Sequence, residues 1–263
     1  MNHAQDITYW NLALGFLLLI IPIILFSYYK TGLVKSTIVA VVRMFIQLTL
    51  VGIYLQYIFN LNNVWLNVAW VLIMIVVAAF STVKRSGLNR RLFVLPVMFA
   101  ILISIAFIDF YFLGVVLRLD YLFDARYFIP ITGMLMGNCL SINIIGLRTF
   151  FQSLERNSVQ YKFALANGAT PHEAIKEFMA EALRQALSPT IATTSVVGII
   201  SLPGMMTGQI LGGSNPNVAI KYQIMIMLTI LVSSLITVTL TLWITRLYVF
   251  DKMNILRRDV KAK

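Results

Sequence analysis

The chain has 263 residues, of which 59% are hydrophobic and 12% charged, against roughly 45–50% and about 25% in soluble globular domains. A soluble core of this length has no use for so much apolar surface, so a soluble enzyme or binding module is excluded. Lys and Arg number 21 against 10 Asp and Glu, a net charge of +11, and the placement of those charges decides between a nucleic-acid surface and a membrane orientation.

Crossing a hydrocarbon layer about 30 Å thick takes roughly 20 apolar residues. Seven stretches meet that length: Thr8 to Tyr29, Leu33 to Phe59, Val64 to Val83, Leu92 to Leu117, Tyr127 to Arg148, Thr190 to Leu211 and Tyr222 to Arg246. The first has neither a basic segment before it nor a small-residue cleavage site after it, so it reads as a retained span. The expected fold is therefore an all-α membrane protein, residues 1–263 forming one transmembrane domain. Cytoplasmic segments accumulate Lys and Arg. With the amino terminus outside, only Arg118, Arg126 and Lys221 lie outside and Arg43 lies within a span. All other basic residues, including Lys252, Arg257, Arg258, Lys261 and Lys263, fall inside. The carboxyl terminus is then cytoplasmic, and basic loops beside anionic headgroups account for the charge without nucleic acid.

Arg43 is the costliest residue in the spans, at about 2.5–3.5 kcal/mol near a helix centre. It either faces a bundle interior or cavity, with Gln47 on the same helical face, or snorkels about 15 Å to the inner headgroups. Asp109 is the only acid within a predicted span and lies towards its outer end. An ion pair between the two is not expected, since they are displaced by roughly 10 Å along the membrane normal. In the fifth span Gly133, Gly137 and Ser141 form a small-residue stripe suited to close helix packing. Asn138 and Asn143 need hydrogen-bond partners, in neighbouring helices or along a polar pathway. Cys139, the single cysteine, excludes an intrachain disulfide.

The one long loop, about residues 149–189, reads as two helices and a tight turn on the cytoplasmic side. The first runs near Glu155 to Asn167 and ends at Gly168. The second opens at Thr170-Pro171-His172-Glu173, an N-cap, a first-position proline and a capping box. Ile175, Phe178, Met179, Ala182, Leu183 and Ala186 form its apolar stripe. Glu173, Glu177 and Glu181 form an acidic row, each like-charge step costing about 0.2–0.5 kcal/mol. That row either meets a basic partner or is a solvated face relieved by Lys176 and Arg184.

The sixth span is irregular. Pro203 cannot donate to the Ile199 carbonyl and Gly204 weakens the next turn. Breaks at membrane depth are tolerated where they line a cavity or are enclosed by protein. Gly204, Gly208 and Gly212 leave one face as bare backbone, while Met205, Met206 and Gln209 project beside the break. The methionines are either soft metal ligands or packing filler. The chain has no nucleotide-binding phosphate loop, no nucleophile motif, no metal-enzyme cluster and no pair of intramembrane acids, so neither an ATPase nor a self-sufficient proton-coupled carrier is indicated.

Ala164-Leu165-Ala166-Asn167-Gly168-Ala169-Thr170, followed by Pro171 and an amphipathic helix, resembles the coupling loop of ABC transporter permeases. Tyr161 to Phe163 stand in place of the leading Glu of the importer form, and Pro189 lies farther from Gly168 than the usual terminal Pro. Ser201-Leu202-Pro203-Gly204-Met205-Met206-Thr207-Gly208-Gln209-Ile210, with Pro216, Ala219 and Tyr222-Gln223-Ile224 and with Arg43, Gln47 and Leu48, resembles the Fet-type permeases associated with bacterial iron export, whose plant relatives are linked to aluminium tolerance.

The resemblance implies an inner-membrane permease, paired with a second copy and with separately encoded ATPase subunits that bind the ATP and Mg, this chain holding no cofactor itself. Iron or a related metal-linked substrate is the implied cargo. Its coupling residues are then Ala164, Gly168, Ala169, Thr170, Glu173, Glu177 and Glu181. Its pathway residues are Arg43, Gln47, Asn138, Asn143, Pro203, Gly204, Met205, Met206 and Gln209. A nucleotide sugar or other small organic solute is the alternative cargo, and a seven-span receptor or a secondary transporter the alternative class.

Overall fold

A computed structural model describes residues 7–250 and Val260. The described residues are almost entirely helical, without a β-strand. Six helical stretches are long and apolar enough to cross a membrane. The basic tail residues Lys252, Arg257, Arg258, Lys261 and Lys263 lie outside the described residues.

Helix α1 (Tyr9–Phe16) passes through a 3-10 turn (Leu17–Leu19) into α2 (Ile20–Tyr28), together the first span. Next come α3 (Val34–Leu61), α4 (Val64–Ser86) and α5 (Arg90–Asp109), which widens into a π-helix at Phe110–Val116. Side-chain caps start the later helices: Asn63 for α4, Asn89 for α5 and Asp124 for α6 (Ala125–Arg156) each accept from a backbone amide two residues on, which satisfies a helix-end donor. Asn215 does the same for α10 (Pro216–Val249), with Pro216 in the first turn.

The core lies among α4, α5, α6, α8 (Pro171–Val196) and α10, where Phe93, Phe112, Leu135, Leu147, Phe150 and Leu242 are fully buried. Helices α1 to α3 stand apart from it. Along the candidate spans of α1–α2 and α3 the most apolar windows bury nothing. Phe16 meets Phe45 edge-on at 5.8 Å, pairing α1 with α3. The C-terminal end of α3 is fastened by Ile58, packed with Ala125 and Ile129, and by Tyr54 against Trp70. Asn62, left-handed at φ 38°, caps α3, and its Oδ1 accepts from the Ala125 amide at 2.9 Å.

Two elements run longer than their hydropathy suggests. α6 continues past Arg148 to Arg156, and α8 passes through Pro189 without a break. Hydropathy marks where the lipid ends, whereas a helix continues while its backbone bonds are satisfied and one face packs. Of the predicted sixth span, Thr190 to Val196 belongs to α8, residues 197–203 form an irregular turn, and only α9 (Gly204–Leu211) is a separate helix. That stretch is not among the six long apolar helices.

Candidate functional site

The turn between α7 (Ser158–Ala166) and α8 is built as its residues require. Gly168 takes φ +90°, a conformation open to glycine at little cost. Thr170 N and Oγ1 donate to Glu173 Oε2 at 2.8 and 2.7 Å, and Glu173 N donates back to Thr170 Oγ1 at 3.3 Å. These bonds hold the Glu173 carboxyl below the usual range, the Thr170 hydroxyl being the largest cause. Its cap is therefore intact above the unfolded value and lost as pH falls through the lower folded one. Ala164 sits in α7 and Ala169 in the turn, where the Ala169 amide donates to the Ala164 carbonyl at 3.1 Å.

Two contacts that the sequence pattern did not reveal bind this turn to the C-terminal end of α10. Arg246 Nη1 lies 2.7 Å from His172 Nδ1. Guanidinium only donates, so Nδ1 accepts and the imidazole proton sits on Nε2. Arg246 also lies over the Trp243 ring, 5.2 Å from its centroid. On the other side Tyr161 stacks on Phe250 at 5.4 Å.

The expected stripe of α8 faces inwards: Ile175, Phe178, Ala182 and Ala186 are buried, and Met179 and Leu183 pack against them. Of the acidic row, Glu177 Oε2 accepts from Gln160 Nε2 at 3.2 Å, and Glu181 lies 3.6 Å from Arg184 and accepts from Gln185 at 2.9 Å. Glu177, Glu181, Arg184, Gln160, Asn157 and Ser153 line a polar groove of ≈ 220 Å³.

At the far end of α8 the chain turns sharply. Gly198, at φ +89°, donates to the Ser201 carbonyl at 2.9 Å, and Ile199 and Ile200 are thrown outwards. Pro203 is extended and caps α9, and Gly204 is the first residue of that helix. The Pro203 carbonyl accepts from both Thr207 N and Thr207 Oγ1. Thus Pro203 starts a helix here and does not interrupt one. Met205, Met206 and Gln209 are half-buried on α9, and Gln209 Oε1 is enclosed without a hydrogen-bond partner. A methyl added at Gly204 or Gly208 meets nothing within 4 Å, so their bare face is open within one chain.

The other expected pathway residues are dispersed. Arg43 and Gln47 are exposed on α3 and line a shallow apolar groove with Ile38, Val39, Val42 and Ile46. Asn138 is exposed on α6 and its amide donates to the Met134 carbonyl at 2.9 Å. Asn143, one turn farther, is fully buried with neither amide atom bonded. Four residues before it on α6, Cys139 meets buried hydroxyls of α10, a polar layer that spacing alone did not flag. Cys139 Sγ is 3.8 Å from Ser233 Oγ and accepts from Thr237 Oγ1 at 3.5 Å, while Ser234 and Thr241 are buried with free hydroxyls. Within a single chain, then, α3 does not deliver Arg43 and Gln47 to Asn143 or to the break.

The small-residue stripe is only partly used. A Cβ on Gly133 comes 3.1 Å from Met74 of α4, but Gly137 has open space and Ser141 is exposed. The tight approach is at Gly146 instead, where α6, α8 and α10 meet. Among the described residues no three His, Cys, Asp or Glu gather as a metal site.

Over residues 9–250 the chain matches the model of the uncharacterised protein family UPF0014. It is 32% identical over 257 residues to the probable iron export permease protein FetB of Escherichia coli, covering 92% of each chain. It is 35% identical over 217 residues to the protein ALUMINUM SENSITIVE 3 of Arabidopsis thaliana, covering 82% of this chain and 77% of that one. With the UPF0014 membrane protein YjkA of Bacillus subtilis it shares 30% over 230 residues, 87% of this chain and 90% of that one. No solved structure matches. Six long apolar helices and a family match spanning nearly the whole chain make this a multi-pass membrane protein, and the chain belongs to the UPF0014 family of membrane proteins.

Proposed function

We propose that the chain is the membrane subunit of an ATP-binding cassette transporter that exports iron or a related metal-linked substrate, working with a second copy of itself and with a separate ATPase. The observation that carries this reading is α8. One helix starts at a capped, exposed turn, buries its stripe against α6 and α10, and ends at the irregular turn before α9. Force applied at the turn by a soluble subunit reaches the break along a single element. The contacts of Arg246 with His172 and of Phe250 with Tyr161 share that force with α10.

In this arrangement the amino terminus is outside, α8 and α9 together make the seventh crossing, and the α7–α8 turn is cytoplasmic, as the distribution of Lys and Arg favours. Ala164, Gly168, Ala169, Thr170, Glu173, Glu177 and Glu181 form the receiving surface. Arg43 and Gln47 support pairing of two copies: on a lipid-facing helix an arginine costs about 2.5–3.5 kcal/mol, and the flank of a second chain removes that exposure. The pathway then runs along Arg43, Gln47, Asn138 and Asn143 to Pro203, Gly204, Met205, Met206 and Gln209. Iron as cargo is supported by the named role of the Escherichia coli relative.

Charge reversal tests the receiving surface. Glu173 is left in place because it caps α8. Glu177→Lys with Glu181→Lys is expected to lower co-purification of the ATPase at moderate salt while the yield of the permease is unchanged. Undiminished recovery of ATPase makes the row a solvated face.

The pathway has its own test in the reconstituted complex. Gln209→Leu is expected to lower substrate-stimulated ATPase activity with basal hydrolysis intact. Met205→Leu and Met206→Leu preserve volume and cost under about 1.5 kcal/mol each, so loss of metal stimulation in them reports ligation. If all three respond like the parent, α9 does not border the pathway.

A further inference from the structure

We propose that the cavity between α4, α5 and the start of α6 is a binding site for a small apolar molecule carrying one ammonium group, with Asp109 as its acceptor. The site is separate from the pathway residues, and the inference does not depend on the transport reading. The cavity measures ≈ 280 Å³, and its lining is carbon throughout, from Val68, Val71, Ile75, Leu102 and Ile105 among others, except for Asp109.

Asp109 is 4% exposed. Thr132 Oγ1 donates to its Oδ2 at 2.6 Å, and its Oδ1 is enclosed with no partner. A carboxylate in such surroundings is costly unless paired, and intramembrane acids mark ligand or ion sites more often than they serve packing. The backbone is also irregular here. α5 widens into a π-helix directly after Asp109, a form that recurs at functional sites.

The lining selects the ligand. A hard metal ion takes about six to eight oxygens, and one carboxylate with one hydroxyl on a carbon wall supplies too few. An anion is repelled. A neutral apolar molecule or a lipid chain fills the volume and leaves Oδ1 unpaired. An apolar ammonium satisfies both, its hydrocarbon against the wall and its N–H on the Asp109 carboxylate.

The probe is tritiated 3-phenylpropylamine, bound to the purified full-length chain in mild detergent and read by scintillation proximity, with 3-phenylpropan-1-ol as neutral competitor. Expected is saturable amine binding, with the alcohol weaker by about tenfold or more because it lacks the charge-assisted bond. Asp109→Asn is expected to reduce the amine to the level of the alcohol without changing the alcohol, and Ala106→Phe, which fills the cavity, to weaken both. No saturable binding, equal affinity for amine and alcohol, or an Asp109→Asn chain that binds the amine like the parent overturns the proposal. If Asp109→Asn does not fold, the amine-to-alcohol ratio of the parent and the Ala106→Phe result decide.

Discussion

Gly146→Leu is expected to yield no folded, monodisperse protein, and Gly146→Ala to lower thermal stability, even though alanine is the better helix former by about 1 kcal/mol. A Cβ at this position lies 2.6 Å from Val238 Cγ2 and 3.6 Å from Ala186 Cβ. Val238 and Ala186 are fully buried. A β-branched neighbour cannot rotate away cheaply, and overpacking costs about 1–3 kcal/mol, so the clash outweighs the helix gain. The partner can be named, so the effect can be rescued. Gly146→Ala combined with Val238→Ala is expected to be more stable than the sum of the two single changes by about 1 kcal/mol. Melting of the four proteins in one detergent measures this, and strict additivity places the close approach elsewhere.

Ala180→Pro is expected to abolish transport while leaving the permease inserted and bound to its ATPase. Ala180 is exposed on α8, between the capped turn and the break, so no core packing is lost by changing it. Proline there removes the bond to the Lys176 carbonyl and clashes with that turn, costing about 3 kcal/mol or more. The helix kinks, and displacement at Thr170 no longer arrives at Val197. Ala180→Gly, at about 1 kcal/mol, is the control for helix content without a kink. Basal ATPase activity of the complex and transport by it are the paired readouts. Transport at the parent rate through Ala180→Pro removes α8 as the transmitting element.

The capped turn was legible because its code is local: Thr170, Pro171 and Glu173 act on amides within one turn, and they form the expected capping box. The inward stripe of α8 was equally legible from its period. What escaped the sequence depends on distant partners. Gly146 lies outside the spacing of Gly133, Gly137 and Ser141, and its role is set by Val238, 92 positions away. Pro189 was the expected end of the loop, yet α8 continues through it, because neighbouring helices in a membrane bundle hold a helix that lacks one bond. Pro203 looked like a kink within one span and proved to be the first cap of a second, short helix. The surroundings of Arg43 were illegible for another reason: Arg43 and Gln47 are exposed on α3, so the described residues of one chain do not enclose them.

Permeases co-reconstituted with their ATPase in inverted vesicles, given external iron and with ATP as the only variable, test the central claim most directly. The expected result is iron uptake that requires ATP and survives collapse of the ion gradients. Uptake that persists after ATP removal and disappears with the gradient, or a permease that retains no ATPase, contradicts it.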